Sequence, residues 1–229
     1  MEQAQLKFDD NGLITAVIQD RLTGQVRMVG WMNQEALDET LRSRRATFYS
    51  RSRGRLWTKG ESSGNSLEVR EVYVDCDADT LVVMVDPTGP TCHTGRLTCL
   101  FRELTPEGEL SDRALEASPL LQQLEHEIHE RVKSNAQKSY TRSLLDAGVP
   151  RISEKIEEEA GELCRALASE SDERVASETA DVLYHVLVGL RARGVAWRSV
   201  LETLASRVGR SGHAEKAARR LGDPEPSTS

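Results

Sequence analysis

Glu103-Leu104-Thr105-Pro106-Glu107-Gly108-Glu109-Leu110-Ser111-Asp112 marks the point at which the hydrophobic pattern of this 229-residue chain changes period. The stretch is polar, carries a Pro and a Gly, and reads with the residues up to Pro119 as a connector. Upstream of it, short runs rich in β-branched and aromatic residues predict strands: Leu13 to Ile18, Val26 to Trp31, Ala46 to Tyr49, Leu67 to Val74 and Leu81 to Val85. Asn11-Gly12 and Thr23-Gly24 supply turn positions. One helix interrupts the strands, with Asn33 as N-cap, Glu35 in the first turn, and Ala36, Leu37, Thr40 and Leu41 at helical spacing.

Downstream the period is helical throughout. Leu120, Leu121, Leu124, Ile128 and Val132 recur at steps of three and four, and Leu144-Leu145 end that segment before Gly148. A second helix is expected from an N-cap at Ser153 to Ser169, with Ile156, Leu163 and Leu167 inward. A third is expected from Ser171 or Asp172 until Gly194, and a fourth from Trp197 to Val208. The chain is therefore expected to be a two-domain α+β protein. Its parts are a mainly-β domain over 1–106 with one or two helices, a linker over 107–118, an all-α bundle over 119–215 and a disordered tail over 216–229, where Asp-Pro-Glu-Pro-Ser-Thr-Ser has nothing to bury.

Composition narrows the function. Hydrophobic residues at 38% and charged residues at 29% describe a globular chain. A net charge of −7 argues against a whole-surface polyanion binder such as a nucleic-acid protein. No apolar run approaches the roughly 20 residues of a membrane span, and no leader is recognisable, so the expected setting is the cytoplasm.

Three of the four cysteines, Cys76, Cys92 and Cys99, lie close together in sequence, which in a reducing compartment suggests metal ligation before disulfides. Three thiolates would leave tetrahedral Zn²⁺ one open position, with bound water acidified towards hydroxide near neutral pH. His93, next to one thiol, is either a fourth ligand or a proton shuttle. Cys164, on a helix, reads as an ordinary apolar residue. Around Cys76, Asp75, Asp77 and Asp79 share one side if the segment is extended, a set of hard oxygen donors suited to Mg²⁺ or Ca²⁺. An EF-hand is excluded because Thr80 stands where its loop needs Gly and Asp86 where it needs Glu. A plain solvated acidic turn is the competing reading of the three aspartates.

Between residues 40 and 60 the chain carries seven basic side chains and no acidic one: Arg42, Arg44, Arg45, Arg51, Arg53, Arg55 and Lys59. The loop Gly60-Glu61-Ser62-Ser63-Gly64-Asn65 follows, with hydroxyls and approachable backbone N–H groups. Together they suit a small phosphorylated ligand. A solvated basic face accounts for part of the same pattern, particularly Arg42 and Arg45 at the end of the helix.

Gly30-Trp31-Met32-Asn33, Tyr49-Ser50-Arg51-Ser52, Leu56-Trp57-x-Lys59-Gly60-Glu61-Ser62-Ser63-Gly64-Asn65, Asp75-Cys76-Asp77-x-Asp79 and Cys92-His93-Thr94-Gly95 resemble the phosphoribosyl-AMP cyclohydrolases of histidine biosynthesis over residues 6–104. The resemblance implies Zn²⁺ at Cys76, Cys92 and Cys99, and Mg²⁺ at Asp75, Asp77 and Asp79. It implies a homodimer with active sites at the interface, with the Cys76 thiol free to serve one site and its flanking carboxylates another. Substrate would be held by Trp31, Arg51, Ser52, Arg53, Lys59, Glu61, Ser62, Ser63, Gly64 and Asn65.

In the helical half, Glu158, Glu159 and Glu162 form one stripe and Glu178 with Asp181 another. Across antiparallel helices the stripes would face each other, and five converging carboxylates call for a divalent cation. Two solvated faces are the alternative. With Ser139-Tyr140-Thr141, Lys155 and Asp181-x-x-Tyr184-His185, the acids resemble the MazG-like phosphoribosyl-ATP pyrophosphohydrolases over residues 120–210. The resemblance implies Mg²⁺ on the five acids as catalytic ligands, with Lys155, Lys138 and Arg142 neutralising phosphate. The expected protein is thus bifunctional. One domain would cleave phosphoribosyl-ATP to phosphoribosyl-AMP and pyrophosphate. The other would open the adenine ring at N1–C6 through zinc hydroxide, giving the formimino-aminoimidazole carboxamide ribonucleotide. Two rivals are a zinc deaminase-like hydrolase fused to a general NTP pyrophosphohydrolase, and a zinc-stabilised nucleic-acid module with a dimerising bundle.

Overall fold

The structure is a computed structural model that describes residues 5–112, 117–133 and 139–208. It divides into two compact units, Met1–Glu127 and Ile128–Ser229.

The first unit is built on a four-stranded sheet in the order β2-β1-β6-β5, formed by β1 (Ile14–Asp20), β2 (Val26–Met32), β5 (Leu67–Val74) and β6 (Thr80–Pro87). The pairs β1–β2 and β5–β6 are antiparallel, whereas β1 and β6 run parallel from Thr15↔Thr80 to Asp20↔Val85. Alternation along β1 sends Ile14, Ala16, Ile18 and Asp20 inward. The first three join Met32, Phe48, Leu67, Leu81, Val83 and Val85 in one core.

Helix α1 (Gln34–Ser43) starts where expected. Asn33 accepts the Ala36 N–H at 2.9 Å, and Ala36, Leu37 and Thr40 are buried. The helix ends at Arg44, which adopts φ 57, and the chain turns into β3 (Thr47–Ser50). That strand pairs with β4 (Arg55–Thr58), stacking Phe48 on Trp57 at 4.9 Å. Sequence periodicity does not reveal β4, because four residues are too short to establish an alternation.

The polar stretch at the change of period is not bare coil: β7 (Arg102–Leu104) pairs with β8 (Leu110–Asp112). Beyond it, the Ala117 N–H donates to the Leu100 carbonyl and Gln25 Nε2 donates to Ser118 Oγ at 2.8 Å. The expected tail over 216–229 lies outside the described residues.

Helix α2 spans Leu120–Lys133, and the division between the units falls within it. Helix α3 covers Tyr140–Ser169 but is broken at Gly148, whose φ of 82° and ψ of −178° are open to glycine at little steric penalty. The second stretch begins directly after that break, with Pro150 in its first turn, where a missing N–H leaves no bond unmade. Ser153 is therefore inside the helix and is not its N-cap. Ser171 caps α4 (Asp172–Ala192) by accepting the Arg174 N–H, and α5 (Trp197–Ala205) follows the turn at Gly194. Helices α3 and α4 pack along each other, burying Ile152, Ala166, Leu187 and Val188. Leu167, expected inward, is exposed in the last turn of α3.

Candidate active sites

Residues 88–99 form a loop that folds back on itself: the Thr91 N–H donates to the Leu97 carbonyl and the Cys92 N–H to that of Arg96. The Cys99 N–H is held by the carbonyl of Arg27 on β2 at 2.9 Å. Folding back brings the Cys92 and Cys99 thiols near enough to perturb each other's ionisation. Burial pushes the Cys92 thiol up, but the Thr94 hydroxyl at 3.1 Å, the Thr94 N–H, the Cys99 thiol and the charge of Lys59 outweigh it, so its pKa is lowered. Cys99 is pushed up to about 11, first by burial and then by the neighbouring Cys92 thiolate. Two adjacent cysteine sulfurs, one with a lowered pKa, are a donor set that fits a borderline-soft ion such as zinc. His93 Nδ1 lies 3.9 Å from Cys92 Sγ, on the exposed side.

Cys76 is exposed on the β5–β6 turn, and within one chain the three sulfurs do not gather to within 4.8 Å. In the same turn Asp75, Asp77 and Asp79 do converge within 4.8 Å of one another, all exposed. They converge because the chain turns and not because an extended strand alternates. The Asp75 N–H bonds the Thr80 carbonyl, Ala78 sits at φ 64, and Asp75 Oδ1 accepts the Asp79 and Thr80 N–H groups at 3.0 and 3.1 Å. Desolvation raises the Asp75 carboxyl, but these bonds prevail and its pKa is lowered. Three carboxylate oxygen donors in a tight turn fit a hard divalent cation.

The basic arm is divided between two places. Arg51 lies over the Trp31 ring at 3.4 Å, beside a cavity of about 330 Å³ lined by Gly30, Trp31, Tyr49, Arg51, Ser52 and Trp57. Arg53 Nε donates to Ser50 Oγ at 3.2 Å. Lys59 instead faces the thiol pair, whose ionisation its charge favours. The following loop closes on itself, with the Gly64 N–H on the Gly60 carbonyl, Glu61 Oε2 accepting the Thr58 N–H, and the Asn65 N–H on Ser63 Oγ. Gly60 has φ +86, and a Cβ there would come within 2.6 Å of the Asn65 backbone, so only glycine fits. Ser62, Ser63 and Gly64 are exposed at the loop's tip.

In the helical unit the ligand atoms of Glu159, Glu178 and Asp181 lie within 4.8 Å of one another. Glu178 is buried, 2.6 Å from Arg174. Desolvation raises its pKa against the pull of Arg174, and Glu162 and Asp181 raise it further. Glu162 thus adjoins the cluster through Glu178. Glu158 instead turns to Lys155 at 2.8 Å, which also reaches Glu159 at 2.9 Å. Arg142 is engaged by the Val132 carbonyl and Asp146. Lys138 lies outside the described residues. An all-carboxylate cluster with one buried member suits a divalent cation that neutralises it.

Sequence reasoning assigned no role to His185. Its Nδ1 lies 2.8 Å from the Asp181 carbonyl, which can only accept, so Nδ1 carries the proton; Nε2 is 3.0 Å from Tyr140 Oη. Glu159 Oε1 is 4.0 Å from His185 Nδ1, so His185 backs two members of the cluster. The four-residue step from Asp181 to His185 was a usable signal. Arg27, buried on β2, had none.

Two family models match the chain: phosphoribosyl-AMP cyclohydrolase over residues 28–101 and phosphoribosyl-ATP pyrophosphohydrolase over residues 121–208. Among curated proteins, the histidine biosynthesis bifunctional protein HisIE of Wolinella succinogenes is 40% identical over 220 residues, covering 94% of this chain and 96% of that protein. That of Photobacterium profundum is 45% identical over 197 residues, covering 86% and 93%. The chloroplastic counterpart of Arabidopsis thaliana is 46% identical over 224 residues, covering 94% and 79%. The chain belongs to the bifunctional HisIE family of histidine biosynthesis. It is a multifunctional hydrolase in which a cyclohydrolase domain precedes a pyrophosphohydrolase domain. Among the described residues no helix is long and apolar enough to cross a membrane.

Proposed function

We propose that the two units catalyse consecutive hydrolyses: α3 and α4 cleave phosphoribosyl-ATP to phosphoribosyl-AMP and pyrophosphate, and the β-rich unit then opens the adenine ring between N1 and C6. The observation that carries this assignment is the pairing of each cluster with its own domain. Glu159, Glu178 and Asp181 converge within the pyrophosphohydrolase match, and the Cys92–Cys99 pair and the Asp75/Asp77/Asp79 turn lie within the cyclohydrolase match.

In the helical unit Glu159, Glu162, Glu178 and Asp181 would hold Mg²⁺, with Glu158 at the edge of the set. Magnesium supplies charge neutralisation for a polyphosphate and its attacking water. Lys155, paired with Glu158 and Glu159, adds positive charge for the phosphates, and His185 fixes the backbone at Asp181.

In the β-rich unit Cys92 and Cys99 would hold zinc, and Cys76 of a second copy would complete the set. Support for a homodimer comes from the separation of Cys76 from the other two sulfurs within one chain. Zinc supplies Lewis acidity and acidified water near neutral pH. Phosphoribosylation at N1 makes the ring cationic and C6 electrophilic. His93, exposed beside Cys92, handles the proton that moves as N1–C6 breaks. Arg51, Ser52, Arg53, Lys59, Glu61 and the Ser62-Ser63-Gly64-Asn65 loop hold the substrate's phosphates and ribose, and Trp31 lines the cavity beside Arg51 and Ser52. The turn carboxylates Asp75, Asp77 and Asp79 would hold Mg²⁺ near those phosphates. Four free cysteines support a reducing, cytoplasmic setting.

A coupled assay starting from phosphoribosyl-ATP tests the reading by following pyrophosphate and the ring-opened product together. Both should appear, with no comparable turnover of ordinary nucleoside triphosphates. Pyrophosphate release from those triphosphates at equal efficiency would overturn the substrate assignment in favour of a general pyrophosphohydrolase.

A further inference from the structure

Arg27 is a charged residue near the start of β2, yet it is only 4% exposed. A buried guanidinium is heavily penalised by desolvation unless its donors are all directed. Here Nε donates to Thr91 Oγ1, Nη1 to Gln25 Oε1 and Nη2 to the Gly89 carbonyl, each at 3.1 Å. Its counter-charge is the buried Asp20 carboxylate at 3.9 Å, itself held by the Leu22 and Thr23 N–H groups of the β1–β2 turn. Arg27 therefore grips one leg of the 88–99 loop, at Gly89 and Thr91, with its side chain.

The other leg is gripped by the same residue's backbone. The Arg27 carbonyl accepts the Cys99 N–H at 2.9 Å, and the Thr98 hydroxyl lies between the carbonyls of Val26 at 2.7 Å and Arg27 at 3.1 Å. Cys92 follows Thr91 directly, and Cys99 follows Thr98. The planar fork of arginine can span two loop acceptors and a strand partner at once, which a lysine ammonium on the same stem cannot match in geometry.

We propose that Arg27 is the positioning residue that clamps both legs of this loop so that Cys92 and Cys99 meet a metal ion as a preformed pair. The inference rests on the reading of those two thiols as zinc ligands. It assigns Arg27 no contact with substrate or metal. Its contribution is to remove the entropy that two free legs would lose on metal binding.

The test uses the full chain, with zinc alone as the probe in competition with a chromophoric chelator, and cobalt substitution as a spectroscopic report on thiolate ligation. Arg27→Met keeps length and apolar fit. It should weaken zinc binding about tenfold or more, the range typical of outer-sphere partners, and should weaken the sulfur-to-cobalt charge-transfer band. Binding as tight as in the parent chain with an identical cobalt spectrum would overturn the proposal. If Arg27→Met does not fold, Thr91→Val and Thr91→Ser decide: the valine should weaken zinc binding several-fold and the serine should restore it. Equal affinity in those two variants would equally overturn it. Cys92→Ser run in parallel separates the two ideas, because zinc retained in that variant overturns the thiolate reading itself.

Discussion

Lys155 Nζ lies 2.9 Å from Glu159 Oε1, with both side chains largely buried, so the central carboxylate of the helical cluster already has a cation at its back. The Lys155 pKa is raised by its bonds to Glu158 and then Glu159. Glu159→Gln should therefore change stability by less than about 1 kcal/mol, because relieved repulsion and the lost ion pair nearly offset each other. Hydrolysis of phosphoribosyl-ATP should fall by orders of magnitude, each factor of ten corresponding to about 1.4 kcal/mol of transition-state stabilisation. Ring opening of supplied phosphoribosyl-AMP should be untouched. The ratio of the two activities in one preparation is the measurement, and an unchanged ratio would defeat the helical site.

Mixing two inactive variants tests whether Cys76 serves a partner. Cys76→Ser and Cys92→Ser should each lose zinc and cyclohydrolase activity, whereas Cys164→Ser should keep both. Co-refolded in equal amounts, the first two should recover about a quarter of parental activity, since half the dimers are mixed and each holds one intact site. No recovery above the separate variants would mean that the three thiols act within one chain.

Asp86 joins two arginines, accepting from Arg21 at 3.2 Å and from Arg70 at 2.6 Å. Desolvation raises its carboxyl, but the two guanidinium groups outweigh that and leave the pKa lowered. An acid depressed in the folded state contributes stability above its unfolded pKa, near 4, and loses it as pH falls through the folded value. Asp86→Asn should thus lower stability by about 1–2 kcal/mol at pH 7, a modest figure because Arg70 is half exposed. In urea unfolding the gap between parent and variant should begin to close below roughly pH 4 and vanish only below the lowered folded pKa. A gap independent of pH would remove the carboxylate from the account.

A fragment ending at residue 107 would cut the β7–β8 hairpin and remove Ser118 from Gln25, whose Oε1 is engaged by Arg27. Residues 1–127 should therefore fold and open phosphoribosyl-AMP unaided, and 1–107 should melt earlier. Identical melting curves would show that the hairpin and Ser118 add nothing.

Much of the fold was legible because it rests on local chemistry. Asn33 and Ser171 are N-caps by residue type, and β5 was bounded correctly by its β-branched run. What escaped depends on distant contacts. Arg27 looks like a solvent-facing strand residue until the loop carrying Gly89 and Thr91 covers it. The convergence of Asp75, Asp77 and Asp79 was legible, but its cause, a turn through Ala78 in the left-handed region, was not. The start of the second helix was misplaced at Ser153 because Gly148 suggested an end and Ser153 a cap by residue type, whereas helix resumes directly after Gly148 with Pro150 in its first turn.

The parallel registration of β1 with β6 also sets an order in time. Strand β1 leaves the ribosome early and finds β2 at once through a short turn, but its other edge waits until Pro87 has been made. Until then Ile14, Ala16 and Ile18 have only half of their eventual cover, and an open strand edge is available to any neighbouring chain. Closure across so long a loop is slow compared with the local pairing of α3 and α4. Nascent chains stalled before β6 are accordingly the ones expected to need a chaperone, and those stalled after it are expected to be protease-resistant.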